Sequence, residues 1–160
     1  MQVSSLEDTR LLDVMSFLPH RPPFILISEF LGVEAEKAHS RVLISERSAF
    51  CDNGMVPNYV GLEYIAQTIA LYSGAHSPAD EPEAIGFLLS VRDCQFRRQG
   101  FAVGEELKIE VTLELLDSGL ATFWGEIKLH GECICSARVT TYKPTPEELE
   151  KIKEEAWNVS

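Results

Sequence analysis

Between Asn53 and His76 the chain carries a single charge, the carboxylate of Glu63, within residues that are otherwise apolar, small or uncharged. A carboxylate in the early turns of a helix with that composition must be paired, protonated or used, because burying it alone costs several kcal/mol on any scale. Either Glu63 is a structural carboxylate joined to an arginine across the core, or it exchanges a proton with something bound. A second titratable group sits where its neighbours hold it still: His20 lies in Leu18-Pro19-His20-Arg21-Pro22-Pro23. Its prolines fix φ and forbid helix, so the segment is a stiff extended connection that aims His20 and Arg21. His20 either shapes that loop through its own hydrogen bonds or presents its imidazole as a base. The other histidines carry less. His76 falls just past a helix C-terminus, His130 in a turn, and His39 on the outward face between Ala38 and Ser40. Cys51, Cys94, Cys133 and Cys135 form no Cys-x-x-Cys pair and have no histidine at metal-ligand spacing, so they read as small packed thiols, with neither metal nor cofactor implied.

These groups need elements to place them. Ser4 to Phe17 sets Leu6, Leu11, Val14 and Met15 against Glu7, Asp8 and Arg10, the pattern of a short amphipathic helix over 4–17. Phe24 to Val33 and Ala38 to Ser45 read as two antiparallel strands joined around Glu34 to Lys37. The apolar stretch predicts a central helix over 58–74, buried on all sides because no polar stripe interrupts it, and an acidic loop from Ser77 to Glu83 follows. From Ile85 to Tyr142 nearly everything is strand, in meander order. Phe87, Leu89 and Val91 share one phase while Cys94 and Phe96 take the other, so a bulge is expected near Arg92 and Asp93. Leu107, Ile109, Val111, Leu113 and Leu115 alternate with polar residues, which makes one sheet face wet. Asp117-Ser118-Gly119 and His130-Gly131-Glu132 are hairpin turns. Thr145-Pro146-Glu147-Glu148 opens a solvated helix over 146–157 with a capping box.

At 160 residues, 45 % hydrophobic and 24 % charged, the chain fits one domain, taken as 1–160. A net charge of −11 argues against a general nucleic-acid or anionic-membrane surface, since both need a basic field. The first ten residues hold Glu7 and Asp8 and no apolar run, so no signal or membrane span is expected and the cytoplasm is inferred.

Three segments carry a resemblance. Leu18-Pro19-His20-Arg21-Pro22-Pro23-Phe24-Ile25-Leu26-Ile27 resembles the Leu-Pro-His-Arg-x-Pro-Phe-Leu-Leu-Val opening of the bacterial 3-hydroxyacyl-ACP dehydratases of fatty-acid synthesis. Val56-Pro57-Asn58-Tyr59-Val60-Gly61-Leu62-Glu63-Tyr64-Ile65-Ala66-Gln67 is similar to their Met-Pro-Gly-x-Leu-x-x-Glu-Ala-x-Ala-Gln helix. Cys94-Gln95-Phe96-Arg97-Arg98, followed by Val103-Gly104-Glu105, resembles their Phe-Arg-Arg-Pro-Val-x-Pro-Gly-Asp segment. The likeness covers Phe17 to Tyr142 in matching order. It implies an α+β hotdog fold, an antiparallel sheet wrapped around one long central helix.

The resemblance also implies a mechanism. In such dehydratases a histidine removes the α-proton of a 3-hydroxyacyl thioester and a carboxylic acid on the central helix handles the departing hydroxyl. Backbone N–H groups at the helix start polarise the thioester carbonyl. Glu63 matches the family carboxylate. The family histidine belongs to a Gly-His-Phe-x-Gly motif in the loop before the helix, and Ala49 to Pro57 contains no histidine. His20 is then the substitute base, facing Glu63 across one cavity at a subunit interface. Asn58, in place of the family glycine, is expected to cap the helix, with Tyr59 and Met55 lining the acyl tunnel. Arg97 and Arg98 are basic neighbours on a very acidic chain and are the docking candidates for an acidic carrier protein.

Two classes of function follow. In the first, the chain is a 3-hydroxyacyl-ACP dehydratase acting on an acyl-carrier-protein thioester. In the second it is a non-catalytic hotdog subunit that completes the site of an active dehydratase, as in aryl-polyene-type pathways. Acyl thioesterase activity is less favoured, because nothing beyond Glu63 would activate water. Either main reading expects a homodimer or a heterodimer with another hotdog dehydratase, since the fold leaves a sheet edge and a half-built site exposed.

Overall fold

The computed structural model describes residues 24–77 and 86–158. The expected helix over 4–17, His20 itself and most of the loop from Ser77 to Glu83 lie outside the described residues. In chain order come β1 (Glu29–Glu34), β2 (Lys37–Leu43), β3 (Met55–Pro57), α1 (Val60–His76), β4 (Phe87–Phe96) and β5 (Gly100–Ala102). They are followed by β6 (Glu106–Asp117), β7 (Leu120–Leu129), β8 (Glu132–Tyr142) and α2 (Pro146–Asn158).

Six strands form one sheet in the order β1-β2-β6-β7-β8-β4, every pair antiparallel, and β3 pairs with β5 in a small second sheet. Only β6, β7 and β8 form a true meander. The strand after α1 does not lie beside the next strand in sequence, as expected, but crosses to β8 and becomes an edge. The local turn chemistry fixes the hairpins. Ser118 and Gly119 take φ of 49° and 87°, His130 and Gly131 take 51° and 81°, and two consecutive positive φ values give the turn whose twist matches paired strands. The bulge in β4 falls between Arg92 and Gln95, with Asp93 at φ 51°. Thr145 and Glu148 form the reciprocal capping box at the start of α2: the Glu148 amide donates to Thr145 Oγ1 and the Thr145 amide to the Glu148 carboxylate, each at 3.2 Å.

The sheet curls around α1, giving the hotdog architecture. Val60, Tyr64, Ile65, Ile69 and Leu71 face Val42, Leu107, Ile109, Val111, Phe123 and Ile127. Each such side chain taken out of water contributes about 1.5–3 kcal/mol. A close approach sets the helix height: a Cβ on Gly125 of β7 would stand 2.4 Å from Ile65 Cγ2. Rotation of the helix is set by a buried polar contact. Thr68 Oγ1 donates to the Tyr64 carbonyl at 2.8 Å, so its 2.6 Å contact with Ser40 of β2 has Ser40 as donor.

Two expectations about α1 are corrected. The helix runs from Val60 to His76 rather than over 58–74, because Asn58 belongs to the β3–β5 layer and Gly74 is passed through before Ser77 closes the end. The helix is also not buried all round. The sheet covers one side, and on the opposite side Leu62, Ala66, Ala70 and Ser73 are half-buried and Glu63 is exposed. Small side chains such as Ala66 and Ala70 made that side look like core in the sequence.

Candidate active site

Glu63 is exposed, in the first turn of α1, so burial does not force its chemistry as expected. Its Oε1 accepts a hydrogen bond from Nε2 of Gln67, one turn on, at 3.1 Å. Gln67 is wholly buried. Nε2 also donates to the Phe24 carbonyl at 2.7 Å, and Oε1 of Gln67 accepts the Leu26 amide at 2.9 Å. One side chain thus ties the carboxylate to the extended segment that continues the proline loop. Gln67 appears in the helix motif, but its role was not read from the sequence; the available signal was an uncharged polar residue one turn after the only carboxylate.

No side chain among the described residues caps α1. Tyr59 occupies the N-cap with helical backbone angles and no capping hydrogen bond. The expectation that Asn58 caps the helix is therefore wrong. Its amide donates to Gln99 O and its Nδ2 to Arg98 O, both at 3.0 Å, so the side chain fastens the helix start to the turn before β5. The Gly61 and Leu62 amides donate to the Asn58 and Tyr59 carbonyls at 2.9 and 3.2 Å, and with no side-chain cap among the described residues the positive end of the helix dipole favours an anionic or polarised oxygen nearby.

Asn58, Tyr59, Met55 and Arg98 are brought to this same end. Tyr59 and Met55 are exposed there, and the Met55 side chain lies over Gly100, where a Cβ would come within 2.7 Å of Met55 Cγ. The two arginines differ. Arg98 holds both oxygens of Glu105, at 2.5 and 2.9 Å, while Glu105 also accepts the Ala102 amide at 2.6 Å. Hydrogen bonding from Arg98 holds the Glu105 carboxyl below its usual range, against a smaller opposing effect of burial. The Arg98 guanidinium is committed to bracing this loop. Arg97 is exposed, its amide bonded to Ile134 O beside β8.

Tyr64, next to Glu63 in sequence, points into the core, where burial first and the neighbouring Cys51 second push its phenol up to about 12. It remains neutral across the ordinary pH range. No group of three or more metal-ligating side chains is found among the described residues.

An exposed carboxylate held by a buried amide, one turn into a helix whose N-terminus is uncapped, suits proton exchange beside a polarised carbonyl. The model of a family described as ApeP-like, ApeP dehydratase, matches residues 12–154. The chain belongs to the ApeP-like dehydratase family. A relative from Magnetococcus marinus, named 3-hydroxyacyl-[acyl-carrier-protein] dehydratase FabZ, is 31% identical over 150 residues, covering 90% of this chain and 97% of that protein. A FabZ of the same name from Shewanella woodyi is 30% identical over 133 residues, covering 79% and 87%. Among solved structures, a chain of the dehydratase heterocomplex ApeI:P from Xenorhabdus doucetiae superposes with a TM-score of 0.79 at 29% identity, over 87% of this chain and 95% of that one. An HP0420 homologue from Helicobacter felis, at TM-score 0.63 and 11% identity over 82% and 88%, shares the fold. No helix among the described residues is long and apolar enough to cross a membrane.

Proposed function

We propose that this ApeP-like dehydratase eliminates water from a 3-hydroxyacyl thioester carried on acyl carrier protein, with Glu63 as the carboxylic acid. The observation that carries this is the placement of Glu63: exposed, held by Gln67, and in the first turn of a helix whose N-terminus has no side-chain cap. With the thioester carbonyl at the helix N-terminus, negative charge developing on its oxygen is stabilised by the positive end of the helix dipole. A base takes the proton from C2, the C2–H electron pair becomes the C2=C3 double bond, and the C3–O bond breaks. Glu63 gives its proton to the departing hydroxyl, which leaves as water, and the carboxylate regains a proton before the next turnover. His20 is the base this chain offers, as Ala49 to Pro57 supplies no histidine. Met55, Asn58 and Tyr59 border the acyl entrance, Asn58 by holding the helix start in place, and Arg97 is the carrier-protein contact, Arg98 bracing the loop behind it.

A second reading rests on one feature of this chain: the helix and its carboxylate are present while the loop before it carries no histidine. In that reading the protein completes the site of a second hotdog subunit and contributes no base. Both readings use the same surface. β4 is an edge of the six-stranded sheet and exposes Phe87, Leu88, Leu89, Val91 and Phe96. An apolar edge strand is a template for a further strand, and a second hotdog subunit laid along it continues the sheet and covers the Glu63 side of α1. The similarity to a chain of a heterocomplex supports such an assembly.

The test supplies a 3-hydroxyacyl-ACP thioester to the protein alone and to the protein co-purified with a dehydratase partner. Enoyl product from the protein alone, abolished by Glu63→Ala and by His20→Ala, supports the first reading. Product only from the assembly, unaffected by His20→Ala, selects the second.

A further inference from the structure

We propose that Arg92 selects the neighbour of the β4 edge by requiring a carboxylate on the adjoining strand, so that the neighbour is a hotdog subunit of different sequence and not a second copy of this chain. The inference rests on the reading of β4 as the assembly edge and names the chemistry of the partner. Arg92 stands in register opposite Arg138 of β8. Ala137 and Val139, on either side of Arg138, are buried in the core, so Arg138 and Arg92 lie on the sheet face turned away from α1. Arg138 is already satisfied: Nε donates to Glu114 at 2.9 Å, Nη1 meets Asp93, and the guanidinium lies 5.1 Å from the centre of the Trp124 ring. Arg92 is exposed, and its side chain has no hydrogen bond or ion pair among the described residues. Like charges directly opposite one another oppose strand pairing. A cation on an edge strand therefore deters a further strand unless the newcomer brings the opposite charge.

A second copy brings no such charge in a closed pair. Two copies joined edge to edge about a two-fold axis normal to the sheet run antiparallel with the same face outward, so Arg92 meets only residues of β4 that share its face. The register with β8 identifies these as Phe87 opposite Tyr142, Ser90 opposite Thr140, Arg92 itself, and Gln95 opposite Ser136. None is acidic. Asp93, the one carboxylate of β4, sits in the bulge at φ 51° and is held by Arg138. The far edge of the sheet, β1, carries Glu29 and Glu34, but a β1-to-β4 contact is head-to-tail and builds rings or filaments instead of a closed pair. A closed assembly on β4 takes a different subunit, with Asp or Glu beside Arg92 on the outer face of its pairing strand.

The test titrates the full-length chain with the dehydratase partner of the turnover assay, by calorimetry at low and high salt, and follows the chain alone by sedimentation. Arg92→Glu is expected to weaken the heteromeric Kd by about tenfold or more at low salt and by less at high salt, with Arg92→Ser falling between. Thermal unfolding of the isolated chain should be the same in all three proteins, because the exposed side chain has no partner there. Wild type alone is expected to stay monomeric at concentrations where the heteromer is fully formed. A heteromeric Kd indifferent to Arg92→Glu, a closed wild-type homodimer as tight as the heteromer, or no association with the partner overturns the proposal. Enoyl formation reports separately on the dehydratase reading. A heteromer that depends on Arg92 and makes no enoyl product supports the selectivity of the edge and fails that reading; enoyl product from a wild-type homodimer supports that reading and overturns this proposal.

Discussion

Glu63 and Glu105 show how differently two carboxylates are used by one chain. Glu63 stands at the surface of α1 with one oxygen on Gln67, so Glu63→Gln, which keeps an acceptor there, is expected to remain folded while removing the acid. Thermal unfolding of the two proteins checks this. Glu105 braces a loop instead. Its pKa is depressed in the folded chain below the ordinary 4.5, chiefly by the Arg98 hydrogen bond, so its stabilisation is present above pH 4.5 and is lost as pH falls through the folded value. Glu105→Gln is accordingly expected to cost about 1 kcal/mol at neutral pH, the upper end for a partly exposed pair, with the gap to wild type closing in acid. Urea unfolding at neutral and acidic pH measures it. The identity of Glu63 as the singular carboxylate was legible in the sequence. Its exposure was not, because Ala66, Ala70 and Ser73 do not distinguish a helix side facing core from one facing a missing neighbour. The Gln67 bonds were equally hidden, since they join residues more than forty positions apart.

At the scale of elements, α1 is held by fit. Ile65 packs where β7 has no side chain, at Gly125. Gly125→Ala must push the helix off the sheet or drive Ile65 from its rotamer, and overpacking of this kind costs about 1–3 kcal/mol. A lowered urea midpoint with unchanged slope is the expected signature. The hairpins, the β4 bulge and the α2 capping box were legible because each depends on residues within a few positions of one another. Sheet order was not, because β4 reaches β8 across separations from 39 positions at Phe96–Cys135 to 55 at Phe87–Tyr142, and no local pattern encodes that pairing. The β3–β5 sheet, two strands of three residues, is too short to show periodicity at all. That small sheet is what takes Asn58 out of the helix and leaves the helix N-terminus without a cap.

The whole molecule looks unfinished along one edge. β4 presents a row of apolar side chains, and the side of α1 that carries Glu63 has no covering layer among the described residues. Cys94, exposed within the β4 bulge, reports on that edge: its alkylation is expected to slow when the protein assembles with a hotdog partner, and Val91→Lys, which places a charge on the same strand, is expected to weaken the assembly. Gel filtration and thiol labelling follow both. Arg97→Glu should raise KM for the carrier-protein thioester more strongly at low salt than at high salt, as a steering contact does, whereas Arg98→Ala should act mainly on stability. The most direct measurement is enoyl-thioester formation from a 3-hydroxyacyl-ACP by the assembled protein, wild type against Glu63→Gln. A loss of about a hundredfold or more in kcat with the assembly intact is the predicted result; an undiminished rate from Glu63→Gln would contradict it.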